Sequence, residues 1–562
     1  ANDCARFHRK LKSWHRPPAS QVPADVGVDD AVPLDEFDID GDGNRTERHP
    51  IDLDGSRRIN GAVDMGAYEL QLACPPSATT RLYVDQEASG GNSGTSWLDA
   101  LQDLRDAFTL ADDCAGIVEV WVAQGVYRPD EGVGMVPDSR TETYRLVDGV
   151  AVYGGFDGTE VALEERDWQN QSTVLSGDVD RNDINVGNIV LDPANIRGDN
   201  SYHVVIASGT GDTAILDGFI LTAGQANGST LDQADRGAGL YNDASSPTLA
   251  NLTFTGNVAE NGGGLANVNG SNPPMTDIQF QNNEAGSSGG AIYNQDSDPS
   301  LTGVQFQSNA AGSLGGAIYN NHCDSSLTDI QFQGNAAGSF GGAIYNEDST
   351  PSLTNALLSG NIASDGAAIY NKASYPSLTN ALLSGNMASD GAAIYNTASN
   401  PILVNVTVTG NRASNNAGGM FNTSTSQPTV HNSIFWENQD DSGTGTASAT
   451  VHNEDSGSSA LINHSLVQAL SGIDHTGEDN LDEYPWFTAP LDPSAAPTTA
   501  GDFTLGVFSP AIDVGDDTAN STLTDLAGNP RKINSIIDLG AYEAPYQPIS
   551  VIYLPAILRD YP

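Results

Sequence analysis

Phe280-Gln-Asn-Asn283, Gly289-Gly-Ala-Ile-Tyr-Asn294 and Pro299-Ser-Leu-Thr302 form one unit of a repeat. The next unit reads Phe306-Gln-Ser-Asn309, Gly315-Gly-Ala-Ile-Tyr-Asn320 and Ser326-Leu-Thr328. The first asparagine recurs at 257, 283, 309, 335, 361, 386, 411 and 438, at spacings of 26, 26, 26, 26, 25, 25 and 27. The second recurs at 242, 267, 294, 320, 346, 371, 396 and 422. A period held this closely is the signature of a solenoid. Each unit has short runs that alternate apolar and polar residues, as strands do, and none is long enough for a helix. The density of Gly, Asn and Ser excludes helical solenoids. Leucine-rich repeats have a similar period but need more leucines per unit. What remains is an all-β fold, a parallel β-helix with about 25–26 residues per coil.

In such a stack, equivalent side chains lie about 4.8 Å apart in successive coils and form ladders. Ile292, Ile318, Ile344, Ile369 and Ile394 predict one internal column. Phe280, Phe306, Phe332, Leu358, Leu383 and Val408 predict another. Tyr293, Tyr319, Tyr345, Tyr370, Tyr395 and Phe421 predict an aromatic stack. Asn283, Asn309, Asn335, Asn361 and Asn386 predict one amide ladder, and Asn294, Asn320, Asn346, Asn371 and Asn396 a second. Both are expected at corners, where asparagine tolerates left-handed backbone angles.

Composition narrows the function. The chain of 562 residues carries 72 acidic and 23 basic side chains, a net charge of -49. That excludes nucleic-acid binding through a general basic surface. No apolar run reaches the roughly 20 residues of a membrane span; the best, Ile549 to Leu558, is interrupted by Pro555. The basic N-terminus has no apolar stretch behind it, so no signal peptide is read and a mature or trimmed form is expected. Cys4, Cys74, Cys114 and Cys323 are too few for a disulfide scaffold. Cys74 can pair with Cys4 or with Cys114, while Cys323 replaces a polar residue in a repeat turn and reads as a lone thiol. The acidic, lysine-poor balance fits an extracellular, calcium-rich or salty setting.

Phe/Leu-x-x-Asn alternating with Gly-Gly-Ala-Ile resembles the repeat of chlamydial polymorphic outer-membrane proteins and related bacterial surface proteins. The resemblance implies a right-handed parallel β-helix. Leu82-Tyr-Val-Asp85, Val120-Trp-Val-Ala123, Val152-Tyr-Gly-Gly-Phe156 and Ser201-Tyr-His-Val204 are similar to the opening of secreted bacterial β-helix proteins. It implies one amphipathic capping helix over residues 98–111. Ser509-Pro-Ala-Ile-Asp-Val-Gly-Asp516, Asp525-Leu-Ala-Gly-Asn-Pro-Arg531 and Asp538-Leu-Gly-Ala-Tyr-Glu543 resemble the closing motif of choice-of-anchor surface proteins. Tyr553-Leu-Pro-Ala-Ile-Leu558-Arg559 is similar to tails of Chloroflexi-type secreted proteins. Together these imply export and surface display; they do not imply an enzymatic activity.

The closing motif occurs twice. Ala24-Asp-Val-Gly27, Asp52-Leu-Asp-Gly-Ser-Arg57 and Asp64-Met-Gly-Ala-Tyr-Glu69 repeat it, Asp64 matching Asp538 at an offset of 474. Three regions follow: a closing-motif cap or linking segment over 1–75, the β-helix over 80–490 with its regular repeats over about 237–440, and a closing motif with tail over 491–562. The duplication fits either tandem domains or head-to-tail assembly, in which 1–75 docks on the C-terminal end of the next subunit and builds a filament. Arg6, Arg9, Lys10, Lys12 and Arg16 form a basic cluster that suits an acidic neighbouring surface.

Two acidic turns are candidate calcium sites. Asp38, Asp40, Asp42 and Asn44 alternate as in the first half of a calcium loop, although position 12 is His49 rather than a bidentate Glu. Asp178, Asp180 and Asn182 form the second candidate. Catalysis on a β-helix needs paired carboxylates on one face, often with a basic partner. Between 250 and 440 the only basic residues are Lys372 and Arg412, and Asp365 and Asp390 occupy equivalent positions one coil apart. His203, His322, His431 and His452 are scattered. The expectation is an extracellular structural or surface protein, a candidate filament subunit stabilised by calcium. The alternatives are a monomeric adhesin or glycan-binding protein, and a polysaccharide lyase or glycosidase.

Overall fold

The computed structural model describes residues 72–545, which divide into two compact units. The first runs to Gly286 and includes Gly290–Tyr293; the second takes Ser287–Gly289 and the chain from Asn294 onward. Both are stacks of short parallel strands, and the fold is a right-handed parallel β-helix. The N-terminal segment with Asp38, Asp40, Asp42 and Asn44, its closing-motif copy and the tail after 545 lie outside the described residues.

In the first unit the inward column Leu82, Val120, Val152, Leu216, Leu249 and Met275 stays in register through six coils. Each of these side chains is buried. A second column of the same sheet aligns Tyr127, Leu175, Leu221, Phe254 and Phe280. A separate sheet aligns Tyr144, Val205, Leu240 and Leu265. The coils here differ in length because loops are inserted between strands, and the sequence period is lost although the register is kept.

The helix occupies Leu104–Asp113, shorter than the expected 98–111 and shifted along the chain. Residues 98–103 are drawn into a turn instead. Asp99 holds Gly91 through its carboxylate and accepts the Ser93 and Gly94 amides at its carbonyl, and Leu101 bridges to Val84. Leu104, Ala107, Phe108 and Leu110 form the buried face, and the Phe108 ring lies 5.7 Å from that of Tyr144. The disulfide joins Cys74 to Cys114 at the helix C-terminus. A second helix of one turn, Ala447–Thr450, follows the regular repeats.

In the second unit three inward columns run through the repeats. They are Leu301 to Ile462, Phe306 to Val467, and Ile318 to Val451. Burying one Leu, Phe or Ile contributes roughly 1.5–3 kcal/mol, so each coil carries several such terms. The tyrosines face the opposite way from the isoleucine and asparagine on either side, and Tyr345, Tyr370 and Tyr395 stack at 4.8–5.4 Å.

Both amide ladders form, but not at left-handed positions. Asn335 Nδ2 donates to Asn361 Oδ1 at 3.1 Å and to the Phe306 carbonyl at 3.0 Å, and Asn361 Nδ2 donates to Asn386 Oδ1 at 2.9 Å. The positive φ falls on the residue before the first ladder asparagine (Asn282, Ser308, Gly334, Gly360, Gly385) and two residues after the second (Asp296, His322, Asp348, Ala373, Ala398). The ladder asparagine needs its side chain inside the coil, so its neighbour makes the corner. Gly341 shows why glycine opens the other turn: its φ is +68° and a Cβ there would sit 2.4 Å from the Ile344 carbonyl oxygen.

A candidate binding cavity and a closing clamp

The outward face of the sheet that holds Tyr144, Val205 and Leu240 places Arg145, Ile206 and Tyr241 side by side in successive coils. Arg145 lies in strand Tyr144–Arg145, which pairs with Val205–Ser208. The inserted loop around Ser229 to Ala234 rises beside this column and closes a cavity of about 570 Å³. Its walls include Arg140, Arg145, Tyr202, His203, Gln233 and Tyr241.

Arg140 pins the walls together. Its Nε donates to the Asn200 carbonyl at 2.8 Å, its Nη2 reaches the Gln225 carbonyl and the Asn227 amide oxygen, and its guanidinium lies over the Tyr202 ring at 4.2 Å. His203 stacks on Tyr241 at 5.2 Å and bonds the Gly237 carbonyl at 3.0 Å. Burial pushes the imidazole down to about 4, assisted by nearby Arg145, so it is neutral at physiological pH. The Tyr241 hydroxyl donates to Gln233 Oε1. Arg145 is exposed and makes neither a hydrogen bond nor an ion pair through its side chain among the described residues. It also lines a neighbouring cavity of about 350 Å³ with Arg105.

Sequence reasoning did not single out this group. The available signal was two arginines in a chain poor in basic residues, close to the Ser201-Tyr-His-Val204 motif. Coil-length irregularity hid their alignment.

Asp178, Asp180 and Asn182 fold into a turn that largely satisfies itself. Asp178 Oδ1 accepts the Asn182 amide at 3.0 Å, and Asp180 Oδ2 accepts Asn182 Nδ2 at 2.7 Å and the Asp199 amide at 3.0 Å. Asp183 joins them. Burial first, then the charges of Asp178 and Asp180, push its carboxyl up to about 6 against the opposing bonds from Arg197 and Asn200. Asp180 Oδ1 is buried without a partner, the feature that favours a cation. No group of three His, Cys, Asp or Glu has metal-holding geometry among the described residues.

Asp365 and Asp390 bridge as neighbours in successive coils. Burial, then the Asp390 charge, push the Asp365 carboxyl up to about 6, while Asp390 accepts from Asn415 and Asn416. Cys323 is a free buried thiol, its backbone amide bonded to Ser349 Oγ at 3.0 Å. Burial pushes the thiol up to about 11.

The C-terminal closing motif acts as a clamp on the flank of the second unit's sheet. One outward column reads Gln305, Gln331, Leu357, Leu382, Thr407, Ile434 and Leu466. The glutamines are exposed, whereas Leu382, Ile434 and Leu466 are buried beneath Ala511, Leu539 and Ala544. Alongside, Asn380 donates to the Thr524 carbonyl at 2.8 Å, Asn405 to that of Asp538 at 2.8 Å, and Asn432 to that of Asp516 at 2.9 Å. The motif's charged residues build the clamp's interior. Buried Arg531 donates to the Gly540 carbonyl at 2.7 Å and lies 3.4 Å from Glu543, whose amide donates to Asp525. Burial, reinforced by the Asp538 charge, pushes Glu543 up to about 8.

The repeat described as the Chlamydia polymorphic membrane protein repeat matches residues 277–295 and 329–347. No curated protein matches the chain. Among solved structures, the chain is similar to pectate lyase Pel9A at 11% identity and a TM-score of 0.38, covering 84% of this chain and 98% of that one. It is similar to XylC, solved with xylose, at 11% identity and a TM-score of 0.37, covering 83% and 99%. The Azotobacter vinelandii mannuronan C-5 epimerase AlgE6 A-module matches at 14% identity and a TM-score of 0.22, covering 68% and 96%.

Proposed function

We propose that this is an extracellular, non-catalytic structural or surface protein whose closing motifs join β-helices. The observation that carries the proposal is the clamp. A motif of this type covers an apolar outward column that would otherwise face water, and the chain holds a second copy of it 474 residues earlier. That second copy, within 1–75, docks on the flank of another β-helix and links copies head to tail into a filament. Calcium bound at Asp38, Asp40, Asp42 and Asn44 stabilises the linking segment, with the turn at Asp178 and Asp180 as a weaker site.

Electron microscopy of the chain at high concentration tests the proposal. Fibres are expected, and deletion of 1–75 abolishes them. Monodisperse particles from the full chain would overturn the assembly. An unchanged melting temperature in calcium and in chelator would remove the metal. A polysaccharide-active alternative draws on Asp365, held half-buried beside Asp390. Glycan cleavage lost in Asp365→Asn would favour it over the structural reading.

A further inference from the structure

The cavity beside Arg145 has a chemistry that the scaffold does not use. Most arginines and lysines of the described residues are ion-paired, as with Arg81 and Glu119, Arg166 and Asp217, or Lys372 and Glu347. Arg145 is not, in a chain with 72 acidic side chains available. Arg105, across the adjacent cavity, forms no ion pair either and donates to the Met135 sulfur at 3.1 Å. Asp112 and Asp113 line that adjacent cavity without pairing with either guanidinium, so Arg145 stands beside the larger cavity with its charge unpartnered.

An anion is the natural partner of a free guanidinium, which presents a planar fork of donors matched to a carboxylate. Apart from Arg140 and Asp243, the remaining walls are amphipathic. Tyr202 is half-buried, with one face against Arg140 and no hydrogen-bond partner for its hydroxyl among the described residues. Gln233, Ser208 and Thr141 add amide and hydroxyl groups at the rim. Asp243 also lines the cavity, with its Oδ1 accepting from Asn269 Nδ2 at 2.7 Å. The volume falls in the range of small-molecule sites, roughly 300–1,000 Å³. Aromatic surfaces flanked by hydroxyls and amides suit the alternating apolar and hydroxyl faces of a sugar.

We propose that this cavity binds a carboxylate-bearing saccharide, with Arg145 holding the carboxylate and Tyr202 and Tyr241 lining the sugar. The proposal is independent of filament formation. It places a recognition function on the first unit, whatever the closing motifs do.

Isothermal titration calorimetry on the full chain tests it, using a β-1,4-linked glucuronic acid trimer, the matching glucose trimer, and sodium acetate. The glucuronate trimer is expected to bind at least tenfold more tightly than either control. Arg145→Ala weakens it by about ten- to a hundredfold, the range for a lost charge-assisted bond. Arg145→Lys keeps part of the affinity, since it keeps the charge but not the fork. Lys372→Ala removes a positive charge elsewhere and leaves binding unchanged. Arg145 is exposed at the end of a two-residue strand, so its replacement leaves the melting temperature in place. Equal binding of the two trimers, undiminished binding by Arg145→Ala, or no binding at millimolar ligand would each overturn the proposal. Acetate binding as well as the trimer would reduce the site to a simple anion hole and overturn the saccharide assignment.

Discussion

Asn361→Ala offers a direct measure of what the amide ladder is worth. Asn361 is fully buried, and its carboxamide makes four bonds. Its Oδ1 accepts the Asn335 amide at 2.9 Å and Asn335 Nδ2 at 3.1 Å; its Nδ2 donates to Asn386 Oδ1 at 2.9 Å and to the Phe332 carbonyl at 3.2 Å. Truncation leaves the Asn335 amide and the Phe332 carbonyl without these bonds inside the coil. Asn335 Nδ2 keeps its bond to Phe306, and Asn386 Oδ1 keeps the Asn361 amide. At about 1 kcal/mol for each bond lost to a group that keeps another partner and about 1–3 kcal/mol per orphaned group, the loss is about 4–8 kcal/mol. Asn361→Asp refines the test. The carboxylate can still accept from Asn335, but it faces two acceptor oxygens where the amide donated. Its folded pKa is therefore raised, so stability is lost as pH rises above the unfolded carboxyl value and recovers in acid. Chemical denaturation read by hydrogen exchange across the coils from 335 to 411 checks both variants. A change in Asn361→Ala of less than about 0.5 kcal/mol, the scale of an ordinary surface substitution, would refute the reasoning that the ladder bonds carry the stack.

Four further outcomes follow from the geometry. Ile434→Ala undercuts the clamp at a fully buried contact and costs about 2–4 kcal/mol, seen as faster exchange over 509–545 with little change in the first unit. Reducing the Cys74–Cys114 bridge, which spans 40 residues, removes about 4 kcal/mol at most by loop entropy, read as earlier proteolysis at the Leu104–Asp113 helix. Asp365→Asn raises stability at pH 7.5 by about 1 kcal/mol after allowing for partial exposure, because the folded carboxyl is pushed up to about 6 and its ionised form is the disfavoured one. The gain fades below pH 4, where the aspartate is protonated in both states. Glu543 keeps its proton up to about pH 8 when folded but loses it near the ordinary glutamate value when unfolded. Clamp stability therefore falls as pH rises between those values; Asp538, pushed up to about 6 by burial, adds its own slope below that, so a pH series of melting curves for wild type and Glu543→Gln will differ by a slope between about pH 6 and 8 present only in the wild type.

The ladders were legible from one chain because each contact repeats locally. Phe332 meets Phe306 and Leu358 for the same reason that Ile344 meets Ile318 and Ile369: one coil is 25 or 26 residues, and the hydrophobic alternation has period 2. The conformational role of the ladder asparagines was less legible. Asparagine is tolerant of left-handed angles, but a side chain that must point inward and bond along the stack leaves the corner to its neighbour. The shift of the helix to Leu104–Asp113 had a similar origin, since Asp99 satisfies amides across a turn and removes the preceding residues from the helix. The Arg145 cavity was hidden because strand Tyr144–Arg145 pairs with Val205–Ser208 across an irregular insertion, so no fixed spacing marks the column.

Sequence alone determined the parallel stack, its period, the inward columns and the presence of a closing motif, because these depend on alternation and on contacts one coil apart. Only the tertiary structure decided where that motif goes. Asn380 meets Thr524 and Asn405 meets Asp538 at separations of 144 and 133 residues, with no repeat to announce them. The partner of Cys74, the raised carboxyls of Asp365 and Glu543, and the cavity beside Arg145 were decided in the same way. Each depends on desolvation and proximity created when distant segments pack. The change from Gln305 and Gln331 to Leu357 and Leu382 along one outward column was visible in the chain, but only the docked clamp explains it: apolar side chains stand where water is excluded, and glutamines where it is not.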